Sequence, residues 1–204
     1  MTDFLFNGPP DAAVTLALAH GAGGPMDSPF LNRFAEGLAA RSVRVARFEF
    51  PYMHRRREGG GGRVPDRTPV LLDAWRQAIG DLGGAASLAI GGKSLGGRMA
   101  SLVADEMGVR ALVCLGYPFH PPGQLDKLRT AHLEALQTRT LIVQGTRDPF
   151  GTPDEVATYS LSPAIRIVWL EGGDHSWKPP ARSGRTEAGN LAEGIEAVAG
   201  FLAD

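Results

Sequence analysis

The chain predicts an α/β fold, a mostly parallel central sheet with helices on both faces, and three observations carry that expectation. Apolar runs recur at 14–19, 43–48, 87–90, 111–115, 140–143 and 165–170 of the 204 residues. Helically spaced apolar residues fill the intervals between them. Two of the runs pass directly into glycine-rich turns, HGAGG at 20–24 and GGKSLGG at 91–97. Near-continuous apolar strands are buried on both faces, which a helix-covered parallel sheet provides.

The elements follow in order. Residues 4–6, FLF, add a short edge strand. Ser28 is placed to cap a helix beginning at Pro29, with Phe30, Leu31, Phe34 and Leu38 on its core face. Thr68 and Pro69 open a second helix, where Leu71, Trp75, Ala78, Ile79 and Leu82 share one side. Leu95, Met99, Leu102, Val103 and Met107 give a third, which Gly108 closes in a left-handed conformation. Thr186 starts the last, with Leu191, Ile195, Val198 and Leu202 in phase. The stretch 55–67, RRREGGGGRVPDR, reads as a flexible loop carrying five arginines. It is either a solvated surface loop or one that gates or attracts an anionic substrate.

Composition sets outer bounds. A chain of this length suits one domain spanning 1–204 and buries roughly 70% of its unfolded surface without disulfides or metals. A net charge of -1 and 43% hydrophobic residues call for neither a nucleic-acid nor a membrane partner. The single cysteine, Cys114, lies in the run ALVCLG and reads as a buried strand residue. With no basic amino-terminal region and no apolar run long enough to span a bilayer, a cytoplasmic protein is expected.

Chemistry enters at Ser94. Composition alone would produce a G-x-S-x-G pattern in this chain roughly 0.15 times, so context must supply the specificity. Here the pattern lies between the run 87–90 and a helical repeat, which makes it a candidate nucleophile elbow: a sharp turn that lifts a serine hydroxyl above a sheet edge. Serine is a weak nucleophile near neutral pH and needs a base, itself oriented by a carboxylate. Asp148 follows the run 140–143 and His175 follows 165–170, so three strand ends supply the set in the order Ser94, Asp148, His175. His120, in YPFHPPG, is the competing base, while Asp174 is too near His175 in sequence to orient it. The oxyanion donors expected are the backbone amides of Leu95, at a helix start, and of Ala22, in HGAGG. His20 is expected to brace that turn rather than react. None of these steps requires a metal or an organic cofactor.

With these pieces assembled, the chain resembles the α/β-hydrolase fold superfamily from His20 to His175. HGAGGPMDSPF, FEFPYM, GGKSLGGRMAS, CLGYPFHPPG and QGTRDPFG resemble a small cap-less group. That group includes testis-expressed protein 30 and subunit 3 of the NSL chromatin complex, with dienelactone hydrolases as more distant kin that carry cysteine where this chain has Ser94. The resemblance implies the same Ser94, Asp148 and His175 assignment. The interval 116–139 is too short for a cap domain, so an open site is expected, with Tyr52, Met53, Tyr117 and Phe119 as candidate walls that packing alone would also explain. The expected function is a serine hydrolase acting on a small carboxylic ester or thioester. A non-catalytic interaction protein built on the same scaffold is the alternative.

Overall fold

The computed structural model describes residues 1–61 and 64–204. Its strands are β1 (Leu5–Asn7), β2 (Thr15–Ala19), β3 (Arg44–Phe48), β4 (Leu88–Lys93), β5 (Ala111–Leu115), β6 (Thr140–Gly145) and β7 (Ile165–Leu170). They form a single sheet in the order β1-β3-β2-β4-β5-β6-β7. Among the described residues only β1 runs antiparallel, pairing Leu5 with Arg47 and Asn7 with Val45. Chain order reverses direction across the sheet between β2 and β4, the switch point outside whose carboxyl ends open α/β sheets bind ligands.

Strand alternation divides the core into two layers. On one face, Ala17, Ala19, Leu88, Ile90, Leu112 and Ile142 meet Trp75 and Ile79 of α3 (Thr68–Asp81) and Met99 and Ala100 of α4 (Leu95–Ser101). On the other, Leu16, Leu18, Ala89, Val113 and Leu141 meet Phe34 and Leu38 of α1 (Pro29–Ala39) and Leu191 and Val198 of α7 (Glu187–Ala203). Trp177, fully buried between α1 and α7, packs edge-on to Phe30 and Phe34. Cys114 is buried in β5, and burial pushes its thiol well above the ordinary range. Among the described residues, no helix is long and apolar enough to cross a membrane.

Three local expectations change. Residues Arg55, Arg56 and Arg57 belong to a helix, α2 (Pro51–Arg57), rather than to a loop. Pro51 sets the first-turn backbone, and Tyr52 and Met53 anchor the helix in the core. Arg57 then bridges Asp27 at 2.8 Å and Glu49 at 2.6 Å, and Arg55 reaches Asp66 at 2.5 Å. Gly62 and Arg63 of the same arginine-rich stretch lie outside the described residues. Second, the helix expected to run from Leu95 to Met107 divides into α4 and α5 (Ala104–Met107). Leu102 and Val103 turn back on Met99 and Ala100 through tight three-residue bonds, and Asp105 thereby meets Thr138 Oγ1 at 2.6 Å and the Gln137 N–H at 2.9 Å. Third, Ser28 occupies the cap position of α1 but makes no side-chain cap bond, whereas Thr186 accepts the Gly189 N–H at 3.0 Å. Gly108 has φ 64 and closes α5 as expected.

Candidate active site

The turn that carries Ser94 is built by close approach. Ser94 has φ 52 and ψ -112, a region that side chains rarely occupy, and its N–H is tied to the Leu115 carbonyl at 3.0 Å. A Cβ on Gly92 would lie 2.6 Å from Gly96 C and 2.7 Å from the Ala19 carbonyl oxygen. One on Gly96 would lie 2.6 Å from that same oxygen. Both glycines of the motif are therefore steric requirements of packing α4 against β2 and β4.

Asp148 and His175 meet below this turn. Asp148 is fully buried, with Oδ1 accepting the Phe150 N–H at 2.9 Å and Oδ2 accepting Gln144 Nε2 at 3.0 Å. Nδ1 of His175 lies 2.8 Å from the same Oδ2, and this network assigns the proton to Nδ1. That leaves Nε2 as the lone-pair nitrogen. The imidazole side chain is 24% exposed, open enough to reach a ligand, and the Phe150 ring covers one of its faces at a centroid distance of 4.3 Å. Ser94 and His175 line one cavity of about 400 Å³, shared with the 21–24 turn, Phe30, Leu31, Lys93, Phe150 and Ser176. Among the described residues, no hydrogen bond joins the Ser94 hydroxyl to His175 Nε2. A second cavity of about 390 Å³, near the amino terminus, contains no serine, cysteine or lysine, and its Glu49 and Arg57 satisfy each other.

The rest of the sequence-derived set divides clearly. Leu95 is the first residue of α4, so its N–H has no partner within the helix. Ala22 lines the cavity, and a Cβ placed on neighbouring Gly21 would come within 3.8 Å of Ser94 Cβ. His20 is fully buried: Nδ1 meets the Gly21 carbonyl at 2.7 Å and Nε2 accepts the Phe50 N–H at 3.1 Å. Burial lowers its proton affinity, which keeps it a neutral brace.

The four candidate walls need correction. Tyr52, Met53, Tyr117 and Phe119 are all buried in the core and none lines the Ser94 cavity. Each side chain turns inward from its strand-end segment, where apolar area is better hidden than at a solvent-open cleft. Tyr52 retains an indirect role, because its hydroxyl donates toward the Gly21 and Ala22 carbonyls at 3.3 and 3.2 Å and holds the glycine turn.

His120 is also out of contention, being buried with Nδ1 against the Pro121 carbonyl and Nε2 3.4 Å from Glu155. Ser101 and His132 form a serine–histidine contact at 2.8 Å, yet Ser101 is only 3% exposed. Burial, and secondarily Arg98, push His132 down to about 4, and it lacks a carboxylate partner among the described residues.

Sequence reading missed three contributors. Gln144 is a fully buried polar residue ending an apolar strand, and it joins Asp148 to the Tyr117 backbone. Phe150 supports the imidazole. Lys93 ends β4 beside Ser94, with its ammonium 2.6 Å from the His175 carbonyl oxygen. A polar side chain inside an apolar run is the signal that marks both Gln144 and Lys93.

The sheet and the helices that cover it define a fold class, and comparison with known proteins agrees. The model of the alpha/beta hydrolase domain matches residues 12–203, and the chain belongs to that family. Among solved structures, a dienelactone hydrolase from Anabaena variabilis is similar at 20% identity and TM-score 0.73, over 97% of this chain and 89% of that one. An alpha-beta serine hydrolase homologue from Coxiella burnetii is similar at 20% identity and TM-score 0.71, over 96% and 89%. A serine hydrolase without a lid from Xanthomonas campestris gives 19% identity and TM-score 0.64, over 98% and 85%. These likenesses establish the fold, and this chain shares it without a cap domain.

Proposed function

We propose that this protein is a serine hydrolase that cleaves small carboxylic esters, with thioesters next, through an acyl-enzyme on Ser94. The observation that carries the reading is the dyad: a buried Asp148 oxygen 2.8 Å from His175 Nδ1, while the rest of the imidazole opens onto the cavity that Ser94 lines. Asp148 fixes the tautomer and supports the imidazolium that forms. His175 Nε2 takes the Ser94 proton as Oγ attacks the substrate carbonyl, then returns it to the departing alcohol or thiol. Water repeats the sequence: His175 deprotonates it, it attacks the acyl carbon, and Ser94 leaves with its proton restored.

Charge developing on the carbonyl oxygen is received by the N–H groups of Leu95 and Ala22. The first lies at a helix amino terminus, and the second belongs to a turn whose carbonyls Tyr52 already engages. Phe30, Leu31 and Phe150 offer apolar surface to an acyl or alkyl group, and the cavity volume suits a small one. The test is turnover of a series of short p-nitrophenyl esters. Wild-type protein should hydrolyse them, and Ser94→Ala should lower kcat by about 10⁴ to 10⁶. Equal rates from the two proteins would remove the proposal.

A further inference from the structure

The side chain immediately before the nucleophile has no place in the mechanism above, yet it is built into the base. Lys93 is the last residue of β4, in register with Leu115 of β5. Its side chain crosses beneath the site and Nζ donates to the His175 main-chain oxygen at 2.6 Å. Gly116 forms the floor: a Cβ there would lie 2.9 Å from Lys93 Nζ and 3.3 Å from His175 Nδ1 and Cε1. With φ +70, Gly116 admits the ammonium and the imidazole side by side over bare backbone. The Phe30 ring closes the far side, 5.9 Å from Nζ.

The segment bearing His175 is held by bonds within itself, by the Arg147 N–H on the Gly173 carbonyl at 2.9 Å and by Asn190 Nδ2 of α7 on the Trp177 carbonyl at 2.8 Å. Asp174 Oδ1 accepts the N–H groups of Ser176 at 2.8 Å and Lys178 at 3.0 Å. The Trp177 N–H reaches the Asp174 carbonyl at 2.8 Å, and the Asp174 N–H the Lys178 carbonyl at 3.1 Å. The His175 carbonyl alone is bonded across to β4, through a residue covalently next to Ser94. No carboxylate among the described residues lies within ion-pair distance of Nζ, so the cation is spent on a neutral acceptor.

We propose that Lys93 is a positioning residue for the base: by gripping the His175 main chain over Gly116, it fixes the imidazole between Asp148 and Ser94. The inference rests on the reading of Ser94 and His175 as nucleophile and base. One strand end thereby sets the serine and, through one ammonium, the histidine that must meet it. Burial pushes Lys93 down to about 8, with Asp148 and Asp174 opposing the fall. The charged and titratable groups facing it are Asp148, Asp174 and His175.

The experiment compares wild type with Lys93→Met, a near isostere without a donor, and with Lys93→Leu as a second donor-less variant should the first fail to fold. Three quantities are read: the rate of covalent labelling by a fluorophosphonate, kcat and KM on a short ester, and the downfield NMR signal of the His175 Nδ1 proton shared with Asp148. The expected result is labelling and kcat lowered by about 10- to 100-fold with KM within about threefold, the size of effect a misplaced catalytic group produces. The Nδ1 proton signal should broaden while the melting temperature at pH 7 is not lowered. A donor-less variant with wild-type labelling and an unchanged proton signal would overturn the proposal. If wild type itself does not label, the serine hydrolase reading fails separately. The proton signal then decides: broadening in the variant upholds the grip on His175, and no change refutes it.

Discussion

Lys93→Met should make the protein more stable at pH 7, even as it slows the chemistry proposed for it. In the folded chain the Lys93 ammonium is pushed from the ordinary 10.5 down to about 8 by burial. Each tenfold loss of proton affinity is worth about 1.4 kcal/mol, so carrying the charge at pH 7 costs the fold about 3 kcal/mol. Removing the donor leaves the His175 carbonyl unpaired, a loss of about 1 to 2 kcal/mol. The balance favours methionine by about 1 to 2 kcal/mol, or a melting temperature roughly 2 to 8 °C higher for a chain of this size.

The pH dependence gives the sign. Between about 8 and 10.5 the unfolded chain binds more protons at this site than the folded one, so wild-type stability gains with rising pH. The penalty is complete below that window and absent above it. Urea titrations of both proteins at pH 7 and near the top of the window should show methionine ahead at the first and lysine ahead at the second. A variant less stable at pH 7, or a difference that does not change with pH, would refute the reasoning.

Other perturbations have outcomes set by the same structure. Gly96→Ala drives a Cβ to 2.6 Å from the Ala19 carbonyl oxygen, where only backbone can yield. It should cost about 3 kcal/mol and lower the melting temperature by roughly 6 to 12 °C, measured by calorimetry. Gln144→Leu strips the Tyr117 N–H of its acceptor at 2.7 Å and Asp148 of one donor. A loss of about 2 to 4 kcal/mol in urea titration is expected, together with slower fluorophosphonate labelling. For Glu49, burial acts upward on the carboxyl, but bonds from Arg57 and the Met26 N–H outweigh it and hold the group below the ordinary 4.5. Its stabilisation is present above 4.5 and lost as pH falls through the lowered value. Arg57→Met should therefore cost about 2 kcal/mol at pH 7, with the gap to wild type closing in acid melts.

How much of this is legible in the sequence depends on what kind of physics sets each feature. The strands were readable because two-sided burial demands apolar runs, and Leu16 to Ala19 or Leu112 to Leu115 leave no other reading once helices flank them. The elbow was readable because its glycines answer a steric need that few other contexts impose. Residues 55–57 misled because arginine density masked Tyr52 and Met53, the two anchors that make the segment a helix. The division after Ser101 depends on Asp105 reaching Thr138, a contact between segments far apart in sequence that no periodicity announces.

The aromatic residues failed as pocket walls for a related reason: a tyrosine or phenylalanine at a strand end carries no mark of which way it faces. Phe30 shows the converse, since a residue in phase with the core stripe of α1 also borders the cavity. Lys93 and Gln144 were visible as polar residues at the ends of apolar strands, but their partners, His175 and Asp148, emerge only from the fold.

In the proposed mechanism the hydroxyl at 94 becomes covalently bonded to substrate under the influence of the imidazole at 175. That step is tested most directly by treating the protein with a fluorophosphonate and locating the adduct by peptide mass spectrometry. One phosphonyl group is expected on Ser94, none on Ser94→Ala, and a rate reduced by at least about 10³ in His175→Ala. An unmodified wild-type protein with an open cavity, or an adduct on another residue such as Ser101, would contradict the mechanism.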